Sequence, residues 1–229
     1  MPYLGNQHIV GDSVRNFKVL DDISSHTATF DGSSASVVST SDNTIRIINH
    51  RFVQGQRVVY SNGGGGNING LTANAYYIIK DSPHTIKLAT SATNAASLTA
   101  INLTSVGTGS SHTLRVSFDG VNKKFKATHS SGNKTHIHHA TQLSVSINNV
   151  PQRPNDNLTF TEGFAVENKS IIVFKQAPIP TDIFFGSAFG ETLGTFDISD
   201  LAIDNYAGDG STDSFTLSKI PPNSQSILV

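Results

Sequence analysis

Four histidines close together in sequence, His129, His136, His138 and His139, form the densest group of ligand-type side chains in the chain. Neutral imidazole is a strong ligand for transition-metal ions, and in an extended segment residues two apart share a face. His136 and His138 would therefore point the same way, and chains arranged about a common axis would bring several such pairs onto one ion. No carboxylate lies beside them in sequence to orient the rings. A loop with solvent-facing histidines accounts for the same residues more simply. The reading adopted is no metal site, with His136 and His138 as the pair to follow.

Polysaccharide cleavage would need two carboxyl groups held a defined distance apart. Asp21-Asp22 lies near the N-terminal arm, Asp31, Asp119 and Asp209 stand in turn sequences, and Glu162, Glu167 and Glu191 are scattered. Turn aspartates bond nearby backbone N–H groups and are structural by type. Serine is plentiful, but no Gly-x-Ser-x-Gly elbow occurs. The glycine run Gly63–Gly66, flanked by Asn62 and Asn67, lacks the following Lys-Ser/Thr and helix of a phosphate loop, so it reads as a flexible turn. No aspartate-rich calcium loop is present either. Tyr60, Tyr76 and Tyr77 would form either a sugar-stacking face or part of a core with hydroxyls at its edge; the core is the commoner use. These residues predict no enzyme and no cofactor.

The composition agrees. A net charge of -1, from 16 Lys+Arg against 17 Asp+Glu, provides no basic field for nucleic acid. Charged residues make up only 14% of the 229 residues, so the surface must be largely neutral and polar. With no cysteine, neither disulfides nor thiolate sites can form, and stability must come from packing or oligomerisation. Met1–Leu20 shows no basic start followed by an apolar run, and no later stretch is long and apolar enough for a helical membrane span. Synthesis and assembly in the cytoplasm are expected.

The elements that would position these side chains are short strands. The predicted fold is all-β: tandem small antiparallel sandwich or barrel-like modules behind an extended arm. The arm covers 1–16, and a first β segment covers 17–48, with Thr27–Phe30 and Ser36–Ser39 flanking an Asp31-Gly32 hairpin signal, then Thr44–Ile48. A β module spans 49–113, with strands at Phe52-Val53, Arg57–Tyr60, Tyr76–Lys80 and Thr85–Leu88 and at most a turn of helix at Ala92–Leu98. A β-sandwich spans 114–200, with strands at Leu114–Phe118, Lys124–Ala127, Leu143–Ile147, Ile171–Phe174 and Ile183–Phe185. Asn148–Gln152 and Gln176–Pro180 read as turns.

Residues 201–229 begin another copy. Asp209-Gly210, Phe215 and Gln225–Val229 repeat the order of Asp119-Gly120, Phe125 and Gln142–Val145, without the histidine-bearing insertion. The chain stops within an apolar alternation, which predicts a longer parent protein.

Taken together, Phe17–Ser24, Asn49–Gly55 with Arg57–Tyr60, Val145–Pro154 and Gly186–Thr192 resemble tail-fibre and related tail proteins of phages infecting marine cyanobacteria, especially short-tailed ones. In that group a strand and turn like Ile147–Gln152 recurs in tandem; Asn149 stands where the turn usually has Gly, and Asn tolerates that conformation. The resemblance implies a non-enzymatic virion structural protein, the proximal part of a fibre, typically a homotrimer. Its arm, with Pro2, Tyr3, Leu4, Val14 and Phe17, would dock on the tail or an adaptor, and a distal region would meet a host surface glycan or protein. A neck, adaptor or capsid-surface fibre protein and a glycan-binding module are the alternatives, with a depolymerase behind them.

Overall fold

The computed structural model describes residues 18–130 and 132–189. They lie in the first of two compact units, Met1–Glu191; the second, Thr192–Val229, carries the partial repeat and lies outside the described residues, as do the five arm positions assigned to docking.

Strands dominate. β1 (Lys18–Val19), β2 (Ser25–Phe30), β3 (Val38–Ser39), β4 (Thr44–Arg46), β5 (Arg57–Ser61), β6 (Ala75–Lys80) and β7 (Thr85–Ala89) precede the short helix α1 (Ala92–Ala96). Then come β8 (His112–Ser117), β9 (Lys124–Lys126), β10 (Thr128–His129), β11 (Asn133–Lys134), β12 (Leu143–Ile147) and β13 (Val150–Pro151). β14 (Pro154–Asn155), β15 (Phe164–Glu167), β16 (Ile171–Phe174) and β17 (Phe184–Ala188) complete the described chain. The all-β expectation holds.

A seven-stranded antiparallel sheet runs β2-β8-β5-β6-β7-β4-β3. Its two edge strands, β2 and β3, are joined directly by residues 31–37, so the sheet curls into a half-barrel. Alternation fills the concave side with Val58, Tyr60, Tyr76, Ile78, Ile86, Leu88, Leu114 and Val116, all buried. The opposite face of β6 is also used: Ile79 packs with Ala89 and with Ala95 of α1, and Tyr77 lies against them. Ser91 caps α1 by accepting from the Asn94 N–H at 3.1 Å.

Two four-stranded sheets, β1-β17-β12-β13 and β14-β15-β16-β9, form the sandwich part. Phe125, Phe164, Ile172 and Phe174 from one, with Leu143, Val145, Phe184 and Ala188 from the other, belong to the buried cluster that continues into the half-barrel. Phe118, just past β8, meets Phe125 edge-on at 4.9 Å and Phe174 at 6.2 Å, tying the two regions together. The β12–β13 hairpin turns on Asn148 and Asn149, both left-handed at φ 52° and 63°. Asparagine thus fulfils the role expected of it at position 149, and Pro151 sits on an edge strand, where a missing N–H is tolerated.

Several local readings change. Asp31-Gly32 does not close a hairpin, because β2 pairs with β8 and β3 with β4. Asp31 instead accepts from Ser33 N and Ser33 Oγ at 2.9 and 2.6 Å, making a corner that sends the chain to the far edge of the sheet. Phe52-Val53 is not a strand; both residues are buried in the β4–β5 connection. Boundaries at 48/49 and 113/114 do not follow the sheets, since β2–β8 form one sheet and β1 pairs with β17. Nor does pairing leave the Gly63–Gly66 turn loose: Gly66 and Thr108 exchange backbone hydrogen bonds at 3.1 and 3.0 Å, and a Cβ on Gly65 would lie 1.8 Å from the Thr108 carbonyl. These glycines permit close backbone approach.

Candidate functional site

The histidine segment follows the small β10–β11 hairpin, so the insertion is partly ordered into strands. Ile137 is buried and donates its N–H to the Lys169 carbonyl at 2.8 Å, which turns the flanking His136 and His138 outward. Their rings stand 4.9 Å apart, on one side as the spacing predicts. Gln142 Oε1 accepts from the backbone N–H groups of His138 and His139 at 2.7 and 3.0 Å, fixing the end of the segment. His129 lies apart on β10, with Nδ1 3.3 Å from Ser130 Oγ. Among the described residues, no three His, Asp or Glu side chains form a group that could hold a metal ion.

The hairpin is fastened by Asp21. Its Oδ2 accepts from Thr128 Oγ1 at 2.7 Å and Gly132 N at 2.8 Å, and it lies 3.6 Å from the Arg51 guanidinium. Two segments that carried the resemblance, Phe17–Ser24 and Asn49–Gly55, therefore meet through Asp21 and Arg51. Next to Arg51, Phe52 lies between His26 and His50, with ring centroids 5.8 and 5.9 Å away. His50 is buried; its Nε2 lies 2.8 Å from the Ser82 carbonyl, while its Nδ1 has no hydrogen-bond partner. This seam joins β2 and the β4–β5 connection to β9–β11.

Asp31, Asp119, Glu162 and Glu167 make turn or ion-pair contacts. Asp119 accepts from Val121 N and Asn122 N at 2.9 and 2.7 Å and pairs with Arg57 at 2.9 Å. Glu162 pairs with Arg153 at the surface at 2.9 Å, and Glu167 with Lys124 at 2.6 Å. Glu191 and Asp209 lie outside the described residues. Serine hydroxyl bonds and the Asp31 turn hold the Asp31 carboxyl below its ordinary range.

Tyr60 and Tyr76 share the concave face, and Tyr77 lies on the other. Tyr60 is buried: its hydroxyl lies 2.8 Å from His112 Nδ1 and accepts the Ile68 N–H at 3.2 Å. Tyr76 is buried with its hydroxyl on Thr72, while Tyr77 looks toward α1 on the other side of the sheet. The core reading holds for Tyr60 and Tyr76, while Tyr77 is half-buried against the α1 side. Sequence offered no sign of the Tyr60–His112 pair, because His112 is isolated along the chain.

The sheet β1-β17-β12-β13 carries or adjoins several exposed apolar residues, while Ile48, Val59, Leu98, Val121, Leu158 and Ile179 are exposed elsewhere. One side of it carries the rows Val19–Ser187–Ser144 and Phe185–Ser146–Pro151, with no charged side chain in either and with Ser187 buried. Val19, Phe185, and Ile183 and Phe189 at the ends of β17, are exposed by 50%, 53%, 71% and 46%. Elsewhere a cleft of about 930 Å³ opens between the β16–β17 connection and the chain around Gln152, lined by Gln152, Glu162, Lys175, Gln176 and Asp182 among others. Comparison of the chain with protein-family models, with curated proteins and with solved structures finds no match.

Proposed function

We propose that this chain is a non-enzymatic structural component of a phage virion, the proximal part of a tail fibre that docks on the tail and positions distal host-recognition modules. The observation that carries the reading is the pair of uncharged rows on one side of β1-β17-β12-β13, with Val19, Ile183, Phe185 and Phe189 exposed on or beside it. Such a cluster on a neutral polar surface marks a face that another protein surface covers, here a neighbouring copy in a homotrimer. The resemblance segments and the turn and ion-pair contacts of Asp31, Asp119, Glu162 and Glu167 support the same reading. Sedimentation should give a trimer, and Ile183→Ser with Phe185→Ser should dissociate it while circular dichroism stays unchanged. A wild-type monomer at tens of micromolar chain would overturn the assembly claim.

A glycan-binding module is the second reading, favoured by the amide-lined cleft, whose volume lies within the range of about 300–1,000 Å³ usual for ligand sites. A glycan-array signal lost on Gln152→Ala with Gln176→Ala would select it over the scaffold.

A further inference from the structure

We infer that the seam around Phe52 is an acid-sensitive latch, which holds the β9–β11 segment and the β1–β2 connection to the half-barrel while His26 and His50 are neutral. The argument starts from charge. Asp22, His26, Arg51, Lys126, Thr128 and Gln56 line a recess of about 20 Å³ between β2, β8, β9 and the β4–β5 connection. That is room for about one water molecule. Asp21 sits beside it, bonded to Arg51, Thr128 and Gly132. Asp21 and Asp22 stand beside Arg51 and Lys126, and Lys80 also acts on His50, so protonating either imidazole adds positive charge where cations already gather.

Asp22 shares the recess with His26, but the charges that act most on the two rings are cationic. His26 faces Phe52, Arg51 and His50 from the β4–β5 connection and lies opposite Val116 of β8. His50 is within the fields of Lys80 from β6 and Lys126 from β9, and its nearest fixed partner is the Ser82 carbonyl. His84 is engaged at Nδ1 by the Asn49 N–H. With Nε2 donating to Ser82, the unpartnered Nδ1 of His50 is a lone pair buried beside Phe52. Its protonation would place a charge in a buried setting.

Burial, then Arg51 and His50, hold His26 below the ordinary histidine range; burial does the same at His50, aided by Lys80 and Lys126 and opposed by its bonds to the Ser82 and Thr85 backbone. As pH falls below about 6.5, the opened chain takes up protons before the closed one, so the closed seam loses stability until the native histidines themselves protonate. Opening at mildly acid pH relieves the mismatch. Since Asp21 bridges the hairpin to Arg51, the segments released together are 20–24, 49–53 and 126–130 with 132–133.

Hydrogen exchange of the full chain by mass spectrometry at pH 7.5 and pH 5.0, corrected for intrinsic chemistry, tests this. The expected result is a loss of protection of at least about threefold in those three segments at pH 5.0, with β5–β7 unchanged, and its abolition in His26→Gln/His50→Gln. Should that variant fail to fold, an NMR titration of the wild-type His26 and His50 rings replaces it, and apparent pKa values below that of an exposed histidine are expected. Equal loss of protection throughout the chain, no loss at all, the same loss in the double variant, or ordinary histidine titration would each overturn the latch.

Discussion

Replacing Tyr60 by Phe removes one oxygen from the deepest polar contact of the half-barrel. The Thr108 carbonyl, 3.1 Å from His112 Nε2, can only accept, which places the ring proton on Nε2 and leaves Nδ1 to receive the tyrosyl proton. The same hydroxyl accepts the Ile68 N–H, and Tyr60, His112 and Ile68 are 1%, 0% and 0% exposed. Tyr60→Phe therefore leaves one buried donor and one buried acceptor unpaired where water has no ready access. Gly32 and Gly107 crowd His112 so closely that added Cβ atoms would come within 2.3 and 2.8 Å of its ring, so the imidazole has little room to turn toward new partners. At about 1–3 kcal/mol for each orphaned group, the loss is roughly 2–6 kcal/mol. For a unit of this size that lowers the Tm by about 4–24 °C. The matched control is Tyr76→Phe, whose hydroxyl bonds Thr72 in a half-buried loop where water can replace it, for a loss of under about 1 kcal/mol. Urea denaturation of the two variants and the parent measures the difference. If Tyr60→Phe costs no more than Tyr76→Phe, the buried network does not hold the half-barrel as argued.

Other perturbations have defined outcomes. Asn149→Gly should leave the β12–β13 hairpin intact, whereas Asn149→Val, forced to φ near 63°, should cost about 1–2 kcal/mol, read as a shift of the urea midpoint. The Asp31 carboxyl, held low chiefly by Ser33, contributes stability that is present above the unfolded value and lost as pH falls through the folded one; Asp31→Asn should flatten the stability profile below about pH 4. Metal analysis of the purified oligomer should find less than one ion per three chains. A stoichiometric ion lost on His136→Ala or His138→Ala would overturn the loop reading of that segment.

How much of this was legible in the sequence varies with the range of the interaction. Strands rich in Val, Ile, Tyr and Phe, such as β5, β6, β7, β12 and β16, announce themselves because alternation and side-chain shape act locally. So does the Asn148-Asn149 turn. Asp31-Gly32 misleads, because a turn signal specifies a bend but not which strands pair across it; here the core draws β2 to β8. Phe52 is read as a strand residue from its type, yet it is buried as a wedge between two histidines in a connection. The short β13–β14 steps and the Phe164–Glu167 strand are set by pairing rather than by composition, and β14 even pairs in parallel with β15. In the candidate site, the His136–His138 spacing gave the correct common orientation. The Asp21–Arg51 link joins segments that were noticed separately and whose meeting only the fold reveals.

The central claim, a structural subunit of a virion tail, is tested most directly by imaging particles in which this chain carries a label. The account predicts label on the tail at its attachment end, in multiples of three copies. Label confined to the capsid, or purified particles without the chain, would contradict it.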